Sequence, residues 1–150
     1  MKSAFFALLA LAFMSQAHAA SIVVSTSKKT LTLYEDNGTV REYKIAVGVP
    51  REQWYGVEVV TRKAEWPTWR PTPSMRRANP RLPAVVSGGP NNPLGARALY
   101  LGNTVYRIHG TNNPTSIGHA SSSGCFRMHN ADVIDLYRRV PVGTVVHVER

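Results

Sequence analysis

The chain holds one cysteine, Cys125, directly after the run Ser121-Ser122-Ser123-Gly124, and His109 lies 16 residues before it. A lone cysteine cannot close an internal disulfide, so it is either inert packing or a nucleophile. Inert free cysteines sit in apolar runs, whereas this one follows a loop-forming segment with accessible backbone N–H groups, which favours the nucleophile. A thiol with an ordinary pKa of about 8.5 is only partly ionised at neutral pH and needs a base or a cation beside it. His109 is the best-placed base; the competing reading is an ordinary strand-end histidine. Gly124 removes a side chain next to the sulfur, which lets the N–H groups around Gly124 and Cys125 point at a developing oxyanion. Together these residues suit acyl transfer. No metal or cofactor is expected, because one cysteine with His109, His119, His129 and His147 shows no paired ligand spacing.

The elements that must position this pair read as a β-rich frame. Ile22-Val23-Val24 and Leu31-Thr32-Leu33-Tyr34 form short strands, and Asp36-Asn37-Gly38 makes a hairpin turn into a partner strand over Val40 to Val47. Val57 to Ala64 gives another strand, with Val57, Val59 and Thr61 on one face. From Trp66 to Ala96 prolines recur at 67, 71, 73, 80, 83, 90 and 93, so neither a regular helix nor a central strand is expected there. That segment reads as a long ordered lid, with Trp66, Trp69, Leu82, Val85 and Val86 to pack it. Strands resume at Ala98 to Leu101 and Val105 to Ile108, which places His109 at a strand end. One helix is expected, late in the chain, with Asn130 as its cap, Asp132 in its first turn and Val133, Leu136, Tyr137 and Val140 on one face. Pro141-Val142-Gly143 stops it before a closing strand over Thr144 to Val148.

The N-terminus carries Lys2, an apolar run from Ala4 to Met14 and Ala17-His18-Ala19, the pattern of a secretory signal peptide cleaved after Ala19. Residues 20–150 are then expected to form a single domain with no stable membrane span, in the periplasm or cell wall. The whole chain has a formal charge of +9, about +8 once Lys2 is removed, which favours anionic partners such as a carboxylate-rich polymer; ordinary solvated surface charge is the competing and weightier reading. Composition alone names no substrate.

Two stretches carry a resemblance. Ile108-His109-Gly110-Thr111-Asn112, followed by Ser122-Ser123-Gly124-Cys125-Phe126-Arg127-Met128, resembles the signature of the L,D-transpeptidase family (YkuD-type catalytic domain). The likeness runs from about Ser21 to Val148 and includes "PTWRPTPSMRRANPRLPAVV" and "NNPLGARALYLG". It implies a β-sandwich-like catalytic domain with a long proline-rich lid loop and one late helix. Its cysteine would attack the peptide bond after the third residue of a peptidoglycan stem peptide, release the terminal D-amino acid, and pass the acyl group to an amine. Carried over by position, Cys125 matches the nucleophile, His109 the proton acceptor and donor, and Gly110 the residue whose carbonyl orients that histidine. Arg127 matches an arginine near the donor and acceptor sites, where a guanidinium suits a carboxylate. Ser122, Ser123, Asn112 and Trp69 join it as expected substrate-binding residues.

Two departures stand out. Ser123 occupies a position where many members have a second histidine, and "VPREQWYGVEVV" replaces the commoner proline-threonine-glycine segment. The resemblance further implies acylation by carbapenems and a role in cell-wall biogenesis and cell shape. Stem peptides are the expected partners, with an envelope lipoprotein as a further acceptor; nucleic acid is not expected, and the chain is expected to be a monomer. Two alternatives stay open: the same thiol using water as acceptor, giving an L,D-carboxypeptidase or hydrolase, and a non-catalytic wall-binding protein.

Overall fold

The computed structural model describes residues 18–150, so all but the end of the signal-peptide reading lies outside the described residues. Nine strands form the frame. They are β1 (Ser21–Ser25), β2 (Thr30–Tyr34), β3 (Val40–Gly48), β4 (Gly56–Glu65), β5 (Arg97–Leu101), β6 (Arg107–His109), β7 (Ala120–Ser122), β8 (Phe126–Met128) and β9 (Val145–Glu149). Two helices accompany them, α1 (Pro73–Ala78) and α2 (Asn130–Arg139). No helix among the described residues is long and apolar enough to cross a membrane.

The strand order is β2-β1-β9-β4-β5-β6-β8-β3-β7, and a β2–β3 pairing closes the sheet on itself. Two long strands make the corners. The first half of β3 pairs antiparallel with β2 and its second half with β8, while the first half of β4 pairs with β9 and its second half with β5. Each thus passes from one layer to the other, which is how a two-layer β-sandwich turns its edges inward instead of leaving them open. Alternation fills the space between. Ile22, Val24, Leu31, Leu33, Ile45, Val47, Leu99, Leu101, Phe126 and Met128 recur at every second position of their strands, and all are buried. Ile108, Val60, Val146 and the helix residues Val133 and Leu136 complete the core.

The hairpin at Asp36-Asn37-Gly38 is present, with Gly38 at φ +87° and the Thr39 N–H donating to Asn37 Oδ1 at 2.9 Å. Val57 and Val59 lie on one face of β4, the exposed one. Two expectations about helices need correction. The lid contains a short helix, α1, because Thr72 Oγ1 accepts from the Met75 N–H at 3.2 Å and Pro73 begins the first turn, where a missing N–H costs nothing. In α2 the N-cap residue is His129, without a side-chain cap bond, and Asn130 is the first helical residue. Asn130 is employed elsewhere, as described below.

The lid is ordered by one buried side chain. Asn92 Nδ2 donates to the carbonyls of Pro67, Val86 and Ser87 at 2.9, 3.0 and 3.1 Å, while its Oδ1 accepts from the Leu94 N–H at 2.8 Å. A single carboxamide therefore ties both ends of the proline-rich excursion together, satisfying backbone groups that a proline-broken segment cannot pair in a ladder.

Candidate active site

The site is built on the parallel pairing of β6 with β8. Ile108 stands opposite Phe126, and His109 opposite Arg127. Ile108 and Phe126 point into the core, so their neighbours point the other way, toward the lid. Cys125 directly precedes β8, and its thiol meets the Arg107 backbone N–H from the neighbouring strand. By strand alternation Arg107 and His109 on β6 face the same way as Arg127 on β8 and Cys125 just before it. The 16-residue gap between His109 and Cys125 is taken up by a short 3-10 turn at Pro114–Ser116 and by β7, which pairs parallel with β3.

His109 is buried, and its Nδ1 donates to the carbonyl oxygen of Gly110 at 2.6 Å. That bond places the ring proton on Nδ1 and leaves Nε2 as the basic nitrogen. Burial pushes the pKa down to about 3; the Gly110 carbonyl counters this in part, and the Arg127 and Arg107 guanidinia add to it. The imidazole is therefore neutral at physiological pH. Gly110 can be nothing larger, because an added Cβ would lie 2.2 Å from Asn130 Oδ1.

Cys125 is half-buried, and its Sγ approaches the Val105 carbonyl oxygen at 3.7 Å. Burial raises its pKa, while the Arg107 backbone N–H and the charges of Arg107 and Arg127 pull it back. The thiol is thus neutral at rest, with the charges of Arg107 and Arg127 nearby to favour negative charge once it develops. Arg127 is half-buried and makes no ion pair among the described residues; burial lowers its pKa and the neighbouring thiolate would raise it.

The turn that presents Cys125 is rigid. Gly124 has φ +112°, and a Cβ there would lie 2.6 Å from Tyr106 Cε1. Trp54 Nε1 donates to the Gly124 carbonyl at 2.9 Å, and its ring stacks on Tyr106 with centroids 4.6 Å apart. The Gly124 N–H, expected to point at an oxyanion, donates instead to Ser122 Oγ at 3.2 Å, and Ser122 Oγ donates to the Cys125 carbonyl at 2.6 Å. Ser122 is buried, and its hydroxyl closes this turn with one donated and one accepted bond. Ser123 is exposed beside the thiol.

Of the remaining expected residues, Asn112 is exposed and its Nδ2 donates to the Asn91 carbonyl at 3.0 Å, linking the His109 loop to the lid. Trp69 lies in the lid, in an isolated bridge with Val86. Its N–H and carbonyl pair with Val86 at 2.9 Å in both directions. Along this extended stretch alternate residues face opposite ways, and Thr68 and Arg70, not Trp69, line the adjoining cavity.

One positioning residue escapes the sequence reading. Asn130 Oδ1 accepts from the N–H groups of Ala96 and Thr111, each at 3.1 Å, and its Nδ2 donates to the Thr111 carbonyl at 3.0 Å. It clamps the loop after His109 against the end of the lid. The only sequence signal was an asparagine at a helix start, which fits a cap equally well.

A closed two-layer sheet that presents a single thiol, a neutral histidine with its Nδ1 held by a main-chain carbonyl, and two flanking arginines has the residue types that nucleophilic acyl transfer requires. The model of the family described as the L,D-transpeptidase catalytic domain, YkuD, matches residues 19–148, and the chain belongs to that family. It is 43% identical over 137 residues to "probable L,D-transpeptidase ErfK/SrfK" of Escherichia coli strain K12, covering 85% of this chain and 43% of that protein. It is 50% identical over 91 residues to "probable L,D-transpeptidase YbiS" of the same strain, covering 58% of this chain and 29% of that protein. The chain thus spans less than half the length of these two relatives. Among solved structures, the catalytic domain of the Enterococcus faecium L,D-transpeptidase acylated by ertapenem superposes with a TM-score of 0.66 at 22% identity, covering 87% of this chain and 96% of that one. L,D-transpeptidase 3 of Mycobacterium tuberculosis gives a TM-score of 0.69 at 17% identity, over 88% of this chain and 61% of that one. These likenesses show a shared fold.

Proposed function

We propose that the domain is an exported cysteine transpeptidase acting on peptidoglycan stem peptides. The observation that carries the reading is the shared face of Arg107, His109, Cys125 and Arg127, with His109 neutral and its Nδ1 held by the Gly110 carbonyl. Cys125 Sγ attacks the carbonyl carbon of the scissile peptide bond as His109 Nε2 takes the thiol proton. The C–N bond breaks, the proton passes from His109 to the departing amine of the terminal D-amino acid, and a thioester remains on Cys125. An amine of a second stem peptide then attacks the thioester, gives its proton to His109, and the thiol is restored. The Arg107 and Arg127 charges stabilise the thiolate and the oxyanion that share their face. Arg127 also holds a substrate carboxylate. The pair and its flanking cations supply every proton and charge the exchange needs, so no metal or cofactor enters.

The signal-like N-terminus supports export to the periplasm or cell wall, where stem peptides lie, and an amine of an envelope lipoprotein is a second acceptor of the same chemistry. The thioester-forming thiol would also be acylated by carbapenems. Incubation of the purified protein with a disaccharide-tetrapeptide, followed by mass spectrometry, tests the reading. Expected are an acyl-enzyme on Cys125 that lacks the terminal D-amino acid and a crosslinked dimer. A tripeptide alone would mean that water is the acceptor; no adduct and no product would sink the enzyme reading.

A further inference from the structure

A cavity of about 390 Å³ opens on the same face as the thiol, lined by Arg62, Ala64, Thr68, Arg70, Tyr100 and Arg107, with Pro67 at its rim. The register explains it. Arg62 pairs with Tyr100 across β4 and β5, and Tyr100 with Arg107 across β5 and β6. The Arg107 backbone N–H in turn reaches the thiol of Cys125, the residue just before β8. Three strands therefore carry one row, Arg62–Tyr100–Arg107, with Cys125 beside its end. The next row toward the lid is Ala64–Ala98–His109–Arg127, of which the small Ala64 forms part of the cavity wall.

The arginines are held but not neutralised. The Arg62 guanidinium lies 3.7 Å from the Tyr100 ring centroid and that of Arg107 5.1 Å from it, on a ring that orients cations without cancelling their charge. Among the described residues, Arg41, Arg51, Arg97, Arg138 and Arg139 make the ion pairs; Arg62, Arg70 and Arg107 make none. Three guanidinia gathered without a carboxylate in one concavity repel one another unless an anion enters.

We infer that this pocket is an anion subsite for a carboxylate of the peptide substrate, two to four residues from the reacting centre, gripped by Arg62, Arg70 and Arg107. The span follows from the row: adjacent strands are ~4.8 Å apart, so the pocket lies roughly 5–14 Å from the thiol, and an extended peptide covers that distance in two to four residues at ~3.3 Å each. Arginine suits the task because its planar fork grips a carboxylate with two parallel bonds. The inference rests on the peptide-acyl-transfer reading for its ligand class.

The test uses the double variant Arg62→Gln, Arg70→Gln, which leaves the residues flanking the thiol in place. Lys28→Gln with Arg150→Gln, two exposed positions at the end of β1 and β9, controls for the same loss of net charge. Titrating a stem tripeptide, with its carboxylates free or amidated, into each protein on a Cys125→Ala background reads binding without chemistry. Expected is a Kd weakened about tenfold or more for the free tripeptide in the pocket variant alone, with no such loss for the amidated one. Unchanged affinity in the pocket variant, equal weakening in the charge control, or no binding by the parent overturns the subsite. Single-turnover acylation and the subsequent transfer to amine, in proteins with Cys125 intact, then separate the sources: slowed acylation assigns the carboxylate to the acyl donor, slowed transfer to the acceptor. If binding depends on the arginines and no acyl-enzyme forms, the subsite stands and the transpeptidase reading falls; if turnover proceeds and binding ignores them, the reverse holds.

Discussion

His109 and Arg127 are register partners on the parallel strands β6 and β8, so the expected base and the expected carboxylate-binding guanidinium stand side by side on one face. The Arg127 side chain makes no ion pair or hydrogen bond among the described residues, and its neighbour on the strand is the residue after the thiol. Its charge is thus available to a ligand instead of holding the loop together. Arg127→Lys and Arg127→Ala should both stay folded and both keep a thiol reactive toward a neutral alkylating agent. Both should lose roughly a hundredfold in kcat/KM on a tetrapeptide donor, as truncating one partner of a desolvated charge pair costs about 2–5 kcal/mol. Near-wild-type turnover by the lysine variant would refute bidentate recognition, and unfolding of either variant would assign Arg127 to structure.

The resting thiol is neutral, and this sets its pH behaviour. Burial raises the Cys125 pKa, and the low pKa of His109 means that no imidazolium is present at neutral pH to hold a thiolate. Alkylation by a neutral reagent should therefore climb with pH to a midpoint above the ordinary thiol value, with no plateau between pH 5 and 8. His109→Ala should slow alkylation at pH 7, where the base is needed, far more than at alkaline pH, where the thiolate forms unaided. A flat profile from pH 5 to 8 would reveal a standing thiolate–imidazolium pair instead.

Burying a neutral histidine also ties stability to pH. The folded pKa of about 3 lies below the unfolded value of about 6.5, so between them the unfolded chain takes up a proton that the native state refuses. Stability should be at its full value above pH 6.5 and decline as the pH falls through the window toward 3, by up to about 1.4 kcal/mol per unit from this group. Denaturant midpoints measured from pH 7.5 to 4 should fall more steeply in the wild type than in His109→Gln, which has nothing to protonate there. Parallel curves would show that His109 does not titrate as described.

What the sequence reveals follows the reach of each signal. The core strands are legible because burial alternates within five-residue windows such as Thr30–Tyr34, and α2 because Val133 and Leu136 repeat at helical spacing. Cys125 and His109 stand out by residue type. What stays hidden depends on partners distant along the chain. Asn92 gathers Pro67 from 25 positions away, and the row Arg62–Tyr100–Arg107 exists only once the strand register is known. The turn that Ser122 closes and the bridge that Trp69 makes set side-chain direction in short irregular segments, and neither is encoded by spacing.

Asn130 gives the sharpest test of how the fold positions the base. Its carboxamide makes three hydrogen bonds, two accepted from Ala96 and Thr111 and one donated back to the Thr111 carbonyl, and thereby holds the backbone directly after Gly110, whose own carbonyl orients His109. Removing it strands main-chain groups that are sheltered from water, so Asn130→Ala should cost about 2–3 kcal/mol. It should also loosen the His109 tautomer, lowering kcat more than it raises KM. Asn130→Asp separates the two effects. The carboxylate keeps both accepted bonds, which charge strengthens, but faces the Thr111 carbonyl with an acceptor where a donor stood. The aspartate variant should therefore recover part of the stability and less of the turnover, with the shortfall visible as a changed Nδ1–H resonance of His109. If Asn130→Ala is as stable and as active as the parent, or if Asn130→Asp restores turnover and stability alike, the clamp does not position the histidine.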